Sequence, residues 1–215
     1  MKVALAQLSY IPGDIAYNSG KILTAIEEAR RQGADLVVFS ELAVTGYPPL
    51  DLLRRSDIID SSMAAIREIA THCNEIAAIV GGPSPNTGDY GKELHNSAFF
   101  LHKGKIKAVV NKTLLPNYDI FDEERYFKAG DTFRPVELNG QKIAVTICED
   151  IWYGQPFGDK GPRRLYSMAP LDEIMKEHPS FIINIAANPF AHNRISVREE
   201  VFIRNTRKYM VPLIS

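Results

Sequence analysis

Three side chains of complementary chemistry recur in one kind of place. Cys148 closes the apolar run Lys142-Ile143-Ala144-Val145-Thr146-Ile147 and precedes Glu149-Asp150-Ile151-Trp152, Glu41 follows Leu36-Val37-Val38-Phe39-Ser40, and Lys112 follows the run 107–111. Such short, β-branched apolar runs predict buried strands. Each side chain then stands at a strand's end, and ligand sites of α/β sheets favour strand ends. A thiol, a carboxylate and an ammonium group supply a nucleophile, a proton carrier, and a cation that favours the thiolate and then steadies an oxyanion. Taken singly, each residue has an ordinary reading: a small core residue for Cys148, a solvated loop acid for Glu41, a surface charge for Lys112. Their shared placement weighs against coincidence. Histidine is the commoner base for a cysteine nucleophile, but none of His72, His95, His102, His178 and His192 occupies a comparable strand end. Cys73, on a helical face, reads as core.

The elements that must hold these groups alternate along the chain. Strands are predicted over 3–8, 36–40, 76–81, 97–101, 106–111, 143–148 and 181–186. Between the first two, residues 19–32 carry Ile22, Leu23, Ile26 and Ala29 at helical spacing before Gly33 ends the helix, which completes a βαβ unit. A second helix is predicted over 58–73, further helical segments within 162–179 and over 196–208, and another apolar run begins at Val211. His102-Lys103-Gly104-Lys105 reads as a tight hairpin, which makes the sheet mixed. Gly81-Gly82-Pro83 reads as a turn after a strand. The pattern is that of one α/β domain over 1–215, with no internal repeat or linker.

Composition bounds the partners. The chain has 215 residues, 45% hydrophobic and 24% charged, with a net charge of −1, so no basic surface steers it to nucleic acid or an anionic membrane. The opening residues are too short an apolar stretch for a signal peptide, and a cytoplasmic protein is expected. Two cysteines far apart form no disulfide framework or zinc spacing, and no metal is expected. Neither a P-loop nor a dinucleotide-binding glycine motif occurs.

Glu41, Lys112 and Cys148 lie within three longer signatures: Ser40-Glu41-Leu42-Ala43-Val44-Thr45-Gly46-Tyr47-Pro48-Pro49-Leu50-Asp51-Leu52-Leu53, Lys112-Thr113-Leu114-Leu115-Pro116-Asn117-Tyr118-Asp119-Ile120-Phe121-Asp122-Glu123, and Ile147-Cys148-Glu149-Asp150-Ile151-Trp152. Together they resemble the nitrilase, or carbon-nitrogen hydrolase, superfamily, and within it the glutaminase domains of glutamine-dependent NAD synthetases. The resemblance spans the chain from Ala6-Gln7 to Asn188-Pro189-Phe190. It implies a four-layer αββα sandwich, C-terminally incomplete because such domains continue for several more strands, with the synthetase domain absent.

The resemblance also implies a mechanism. Cys148 attacks the side-chain amide of glutamine, and Glu41 shuttles protons. Lys112 and the Glu149 backbone N–H cradle the oxyanion, while Glu123 holds Lys112 or positions substrate. An isolated thiol, with a pKa of about 8.5, is only slightly ionised at neutral pH, and Lys112 is expected to lower it. Glu149 resembles the acceptor of the substrate α-ammonium and Arg194 a carboxylate binder, with Tyr47, Tyr118, Phe121 and Trp152 as walls; core packing is an equal reading of these aromatics. Asn188 replaces a family serine, exchanging a hydroxyl contact for an amide. No cofactor serves the glutaminase step; ATP, Mg and deamido-NAD belong to the synthetase domain, and a homo-oligomer is expected. The alternatives are a free-standing amidase acting on another small amide and a catalytically silent assembly module.

Overall fold

The computed structural model describes residues 1–154, 165–189 and 194–215. One sheet has the order β1 (Val3–Leu5), β2 (Leu36–Val38), β3 (Ala77–Pro85), β4 (Leu94–His102), β5 (Lys105–Asn111). Its first three strands are parallel and its last two antiparallel, so the sheet is mixed, as predicted. A second sheet orders β6 (Val136–Leu138), β7 (Gln141–Ile147), β8 (Phe181–Ile185) and β9 (Leu213–Ile214), parallel except for β6.

Alternation along these strands builds the layers, because successive side chains point to opposite faces. Val37, Phe39, Ala78, Val80, Phe99 and Leu101 turn outward onto Ile22 and Ile26 of α1 (Ile15–Arg31) and Ile66 and Ile69 of α2 (Ser56–His72). Their neighbours Leu36, Val38, Ala77, Ile79, Ala98 and Phe100 turn inward onto Ile143, Val145, Ile147, Ile183 and Ile185 of the second sheet. That sheet's other face, through Ala144 and Ile182, packs on Leu171 and Ile174 of α3 (Pro170–Ile174) and Val201 of α4 (Arg194–Tyr209). Helices, sheet, sheet and helices stack in four layers, the expected αββα sandwich.

Several boundaries differ from the predicted ones. Helix α1 begins at Ile15, where Asp14 accepts the Tyr17 N–H at 3.0 Å as an N-cap. Its first turns hide a buried Asn18, whose amide bonds Ile11 and Val44, so apolar spacing understates the helix. The hairpin at Lys103-Gly104 is present, with positive φ at both residues. A second hairpin, turning at Asn139-Gly140, makes β6, a strand too short for alternation to show. Gly81-Gly82-Pro83 is not a turn: β3 runs on to Pro85, with Gly81, Gly82 and Pro83 opposite Ala98, Ser97 and Asn96 of β4. A Cβ on Gly81 would come within 2.3 Å of the Ser40 carbonyl oxygen and 2.5 Å of the Leu42 nitrogen. Glycine in this strand therefore serves the close approach of another backbone, the one that carries Glu41.

Candidate active site

Strand β5 delivers Lys112 directly, and its N–H donates to the Asn96 carbonyl at 2.8 Å, holding it against β4. Its Nζ donates to Glu41 Oε1 at 2.8 Å and to Glu123 Oε1 at 2.7 Å, with none of the three side chains more than 8% exposed. Asn96 adds Nδ2 contacts to Glu41 Oε1 at 2.8 Å and to Glu123 Oε2 at 3.4 Å, while the Ala187 N–H donates to Glu41 Oε2 at 3.1 Å. An ammonium group is thus surrounded by carboxylates out of water, which is tolerable only because its charge is matched and hydrogen-bonded. Burial pulls the Lys112 pKa down, but Glu41, Cys148 and Glu123 together hold it well above its ordinary value, so the cation persists. Burial pushes the Glu123 carboxyl up to about 7 despite the Lys112 ammonium.

Cys148 follows β7 directly in a left-handed conformation, φ 46°, as the first residue of a 3-10 turn over Cys148–Ile151. A sharp strand-to-turn bend of this kind projects the side chain from the strand end, at the cost of backbone strain. Its Sγ donates to Asn188 Oδ1 at 3.1 Å. Burial and the Glu41 charge push the thiol well above its ordinary pKa. The expected downward pull of Lys112 is present but outweighed, which corrects the sequence-based expectation: a cation lowers a thiol only where desolvation and neighbouring anions do not exceed it. Burial and the neighbouring anions therefore favour the thiol over the thiolate in the free protein.

Glu149, the next residue, is buried, and its Oε1 accepts the Tyr118 hydroxyl at 2.8 Å and the Tyr166 hydroxyl at 3.0 Å. Burial raises its pKa. Phe121 meets Tyr118 edge-on with centroids 5.6 Å apart. Tyr47, Pro48 and Ile120 line a cavity of about 670 Å³ together with Glu41 and Asn188. Burial and the charge of Glu41 push the Tyr47 phenol far up, so it stays a hydroxyl.

The structure brings Glu41, Lys112 and Glu123 into direct contact, joins Asn188 to Cys148, and sets Tyr118 on Glu149 with Phe121 against Tyr118. Trp152 lies elsewhere, packed with Ile151, Leu171 and Val201 between the second sheet and its helices. The Arg194 backbone opens α4, but its side chain lies outside the described residues, as does Phe190. Cys73 is buried in the α1–α2 core, its thiol pushed up to about 12 by desolvation. Asn96, Ala187 and Tyr166 join the site without having been singled out in the sequence. Among the described residues no His, Cys, Asp and Glu cluster could hold a metal, and no helix is long and apolar enough to cross a membrane.

Residues 2–157 match the carbon-nitrogen hydrolase family. The glutamine-dependent NAD(+) synthetase of Synechocystis sp. is 35% identical over 99% of the chain, and that of Aquifex aeolicus 33% identical over 93%. The chain spans only 38% and 32% of the lengths of these two curated relatives. Among solved structures, the glutamine-dependent NAD+ synthetase of Acinetobacter baumannii superposes with a TM-score of 0.85 at 29% identity, over 99% of this chain and 37% of that one. An amidase from Nesterenkonia sp. shares the fold, with a TM-score of 0.78 at 20% identity, over 99% of this chain and 74% of that one.

Proposed function

The chain belongs to the carbon-nitrogen hydrolase family, and from that premise we propose that it hydrolyses the side-chain amide of glutamine to glutamate and ammonia. The observation that carries the proposal is the buried Glu41–Lys112 pair, 2.8 Å apart, within electrostatic reach of a thiol held on a left-handed turn. As Cys148 Sγ attacks the amide carbon, its proton passes to Glu41 and the carbonyl oxygen becomes an oxyanion facing Lys112 and the Glu149 N–H. Collapse breaks the C–N bond. Glu41 returns the proton to the departing nitrogen, leaving ammonia and a γ-glutamyl thioester. Water then attacks the thioester, giving Glu41 a proton that passes to the sulfur as glutamate leaves. Glu41 thus acts alternately as base and acid, which a carboxylate bound to a fixed ammonium group can do without losing its place.

Substrate selection falls to Glu149 for the α-ammonium group, with Tyr118, Phe121 and Tyr47 as walls, Asn188 as an amide contact and Arg194 for the α-carboxylate, while Trp152 packs in the core. Glu123 supports Lys112. The arrival of an ammonium group favours the ionised form of Glu149, whose pKa is raised when the site is free.

On the same reading, residues 1–215 are part of a glutaminase domain whose ammonia feeds ATP-dependent amidation of deamido-NAD in a synthetase domain, which would bind ATP and Mg. The names and partial coverage of the relatives support this. Cytoplasmic location and a homo-oligomer complete the proposal.

The test compares ammonia release from glutamine, acetamide and propionamide, in wild type and in Cys148→Ala. The proposal expects glutamine to be preferred and Cys148→Ala to be folded but inactive. Faster turnover of the uncharged amides would replace it with a general amidase, and ammonia release unaffected by Cys148→Ala would remove the thioester.

A further inference from the structure

Asp150 has no part in the chemistry above, yet it is 3% exposed and makes three charge-assisted hydrogen bonds. Its Oδ1 accepts the N–H groups of Thr113 at 2.9 Å and Leu114 at 2.8 Å, the two peptides that follow Lys112. Its Oδ2 accepts the N–H of Ile147 at 3.0 Å, the peptide that precedes Cys148. One carboxylate therefore ties the chain leaving Lys112, in the first sheet, to the bend that carries Cys148, in the second.

We infer that Asp150 is a positioning residue that sets the reach from the Lys112 ammonium group to the Cys148 sulfur. Three features support this. One anchored segment follows a strand of the first sheet and the other ends a strand of the second, and among the described residues no backbone ladder joins those sheets. The Ile147 bond spans three residues and closes a loop around the strained Cys148, φ 46°, giving that conformation a compensating bond. A buried carboxylate accepting several N–H groups is rigid as well as stabilising. Burial pushes the Asp150 carboxyl up to about 6 while the N–H donors pull it down, so at neutral pH the ion that makes all three bonds is the prevailing form.

This inference rests on the proposed thioester reaction for its activity readout but not for its structural one. Asp150→Asn keeps the shape and lets its oxygen accept from Thr113 and Leu114, while its NH2 group meets the Ile147 N–H without an acceptor. The experiment measures kcat and KM for glutamine, amide hydrogen exchange by peptide, and the Cys148 alkylation rate with iodoacetamide. The expected result is kcat lowered tenfold or more with KM within about threefold. Exchange should rise at Thr113, Leu114 and Ile147 while peptides of β3 and β4 stay unchanged, and the thiol should alkylate faster as the bend loosens. Unchanged kcat and exchange would overturn the inference, as would a loss of activity accompanied by a global rise in exchange. Should the Asn variant not fold, Asp150→Glu decides. It keeps the charge and displaces the anchor by one methylene, and full kcat in that variant would overturn the positioning role. If wild type releases no ammonia from glutamine, the glutaminase reading falls, and the exchange and alkylation arms still judge Asp150.

Discussion

Cys148 Sγ donates to Asn188 Oδ1 at 3.1 Å, so in the free protein the nucleophile's proton is directed at a neutral amide. On the proposed mechanism, binding turns the thiol from Asn188 toward Glu41, and the freed amide then becomes available to substrate. Asn188→Ser shortens this side chain and replaces the acceptor with a hydroxyl. The expected outcome is a KM for glutamine changed more than kcat, read from steady-state rates; a change in kcat alone would assign Asn188 to the chemical step.

Removing the buried cation should be costly in stability as well as activity. Lys112→Met leaves Glu41 and Glu123 facing each other with no ammonium group between them, and breaking a buried ion pair from one side costs about 3–5 kcal/mol. Denaturant unfolding should show that loss. Adding Glu41→Gln and Glu123→Gln to the same chain should recover most of the stability without restoring ammonia release. Failure to recover would place the stabilisation in the packing of the lysine chain rather than in its charge.

Glu41→Gln should separate thiol reactivity from catalysis. Burial and, after it, the Glu41 charge raise the Cys148 pKa, so neutralising Glu41 should bring ionisation within easier reach and speed alkylation by iodoacetamide at neutral pH. Loss of the proton carrier should at the same time slow glutamine hydrolysis by about 10²- to 10⁴-fold. Parallel slowing of both reactions would argue that Glu41 positions the sulfur rather than moving its proton.

The raised carboxyl of Glu123 makes a signed prediction about pH and stability. Its folded pKa, about 7, exceeds the ordinary glutamate value of 4.5, so between those limits the folded state holds the proton more tightly than the unfolded one. Stability from this group is therefore full at the acid end of the window and falls as pH rises through it. Glu123→Gln stays neutral and escapes that fall. Melting temperatures should show the variant gaining on wild type from pH 4.5 to 7; a variant that instead loses ground to wild type over this window would contradict the raised pKa.

The sequence already carried the strand ends that present Lys112 and Cys148, because β5 and β7 are long enough for apolar patterning to locate their termini. Glu41 was legible from the continuous apolar run Leu36-Val37-Val38-Phe39 before it, although β2 itself ends three residues short of it. The residues that complete the site were not legible, since their partners meet only through the fold. Asn96 lies 55 residues from Glu41, and Ala187 offers only its backbone N–H. Tyr166 lies 17 residues beyond Glu149 and outside the three signatures. Gly81-Gly82-Pro83 carries turn chemistry, yet Gly81 answers to the approach of the Glu41 backbone and not to a bend. The Cys148 pKa shows a further limit: residue types suggested a cation lowering a thiol, whereas the direction of the shift depends on how much water burial removes.

The most direct test is intact-mass spectrometry with peptide mapping after exposure to an electrophilic glutamine analogue, on wild type, Cys148→Ala and Cys73→Ala. Hydrolysis through a γ-glutamyl thioester predicts a single adduct on Cys148, kept in Cys73→Ala, absent from Cys148→Ala and blocked by excess glutamine. A folded wild-type protein that takes no adduct, or takes it with glutamine giving no protection, would contradict that mechanism.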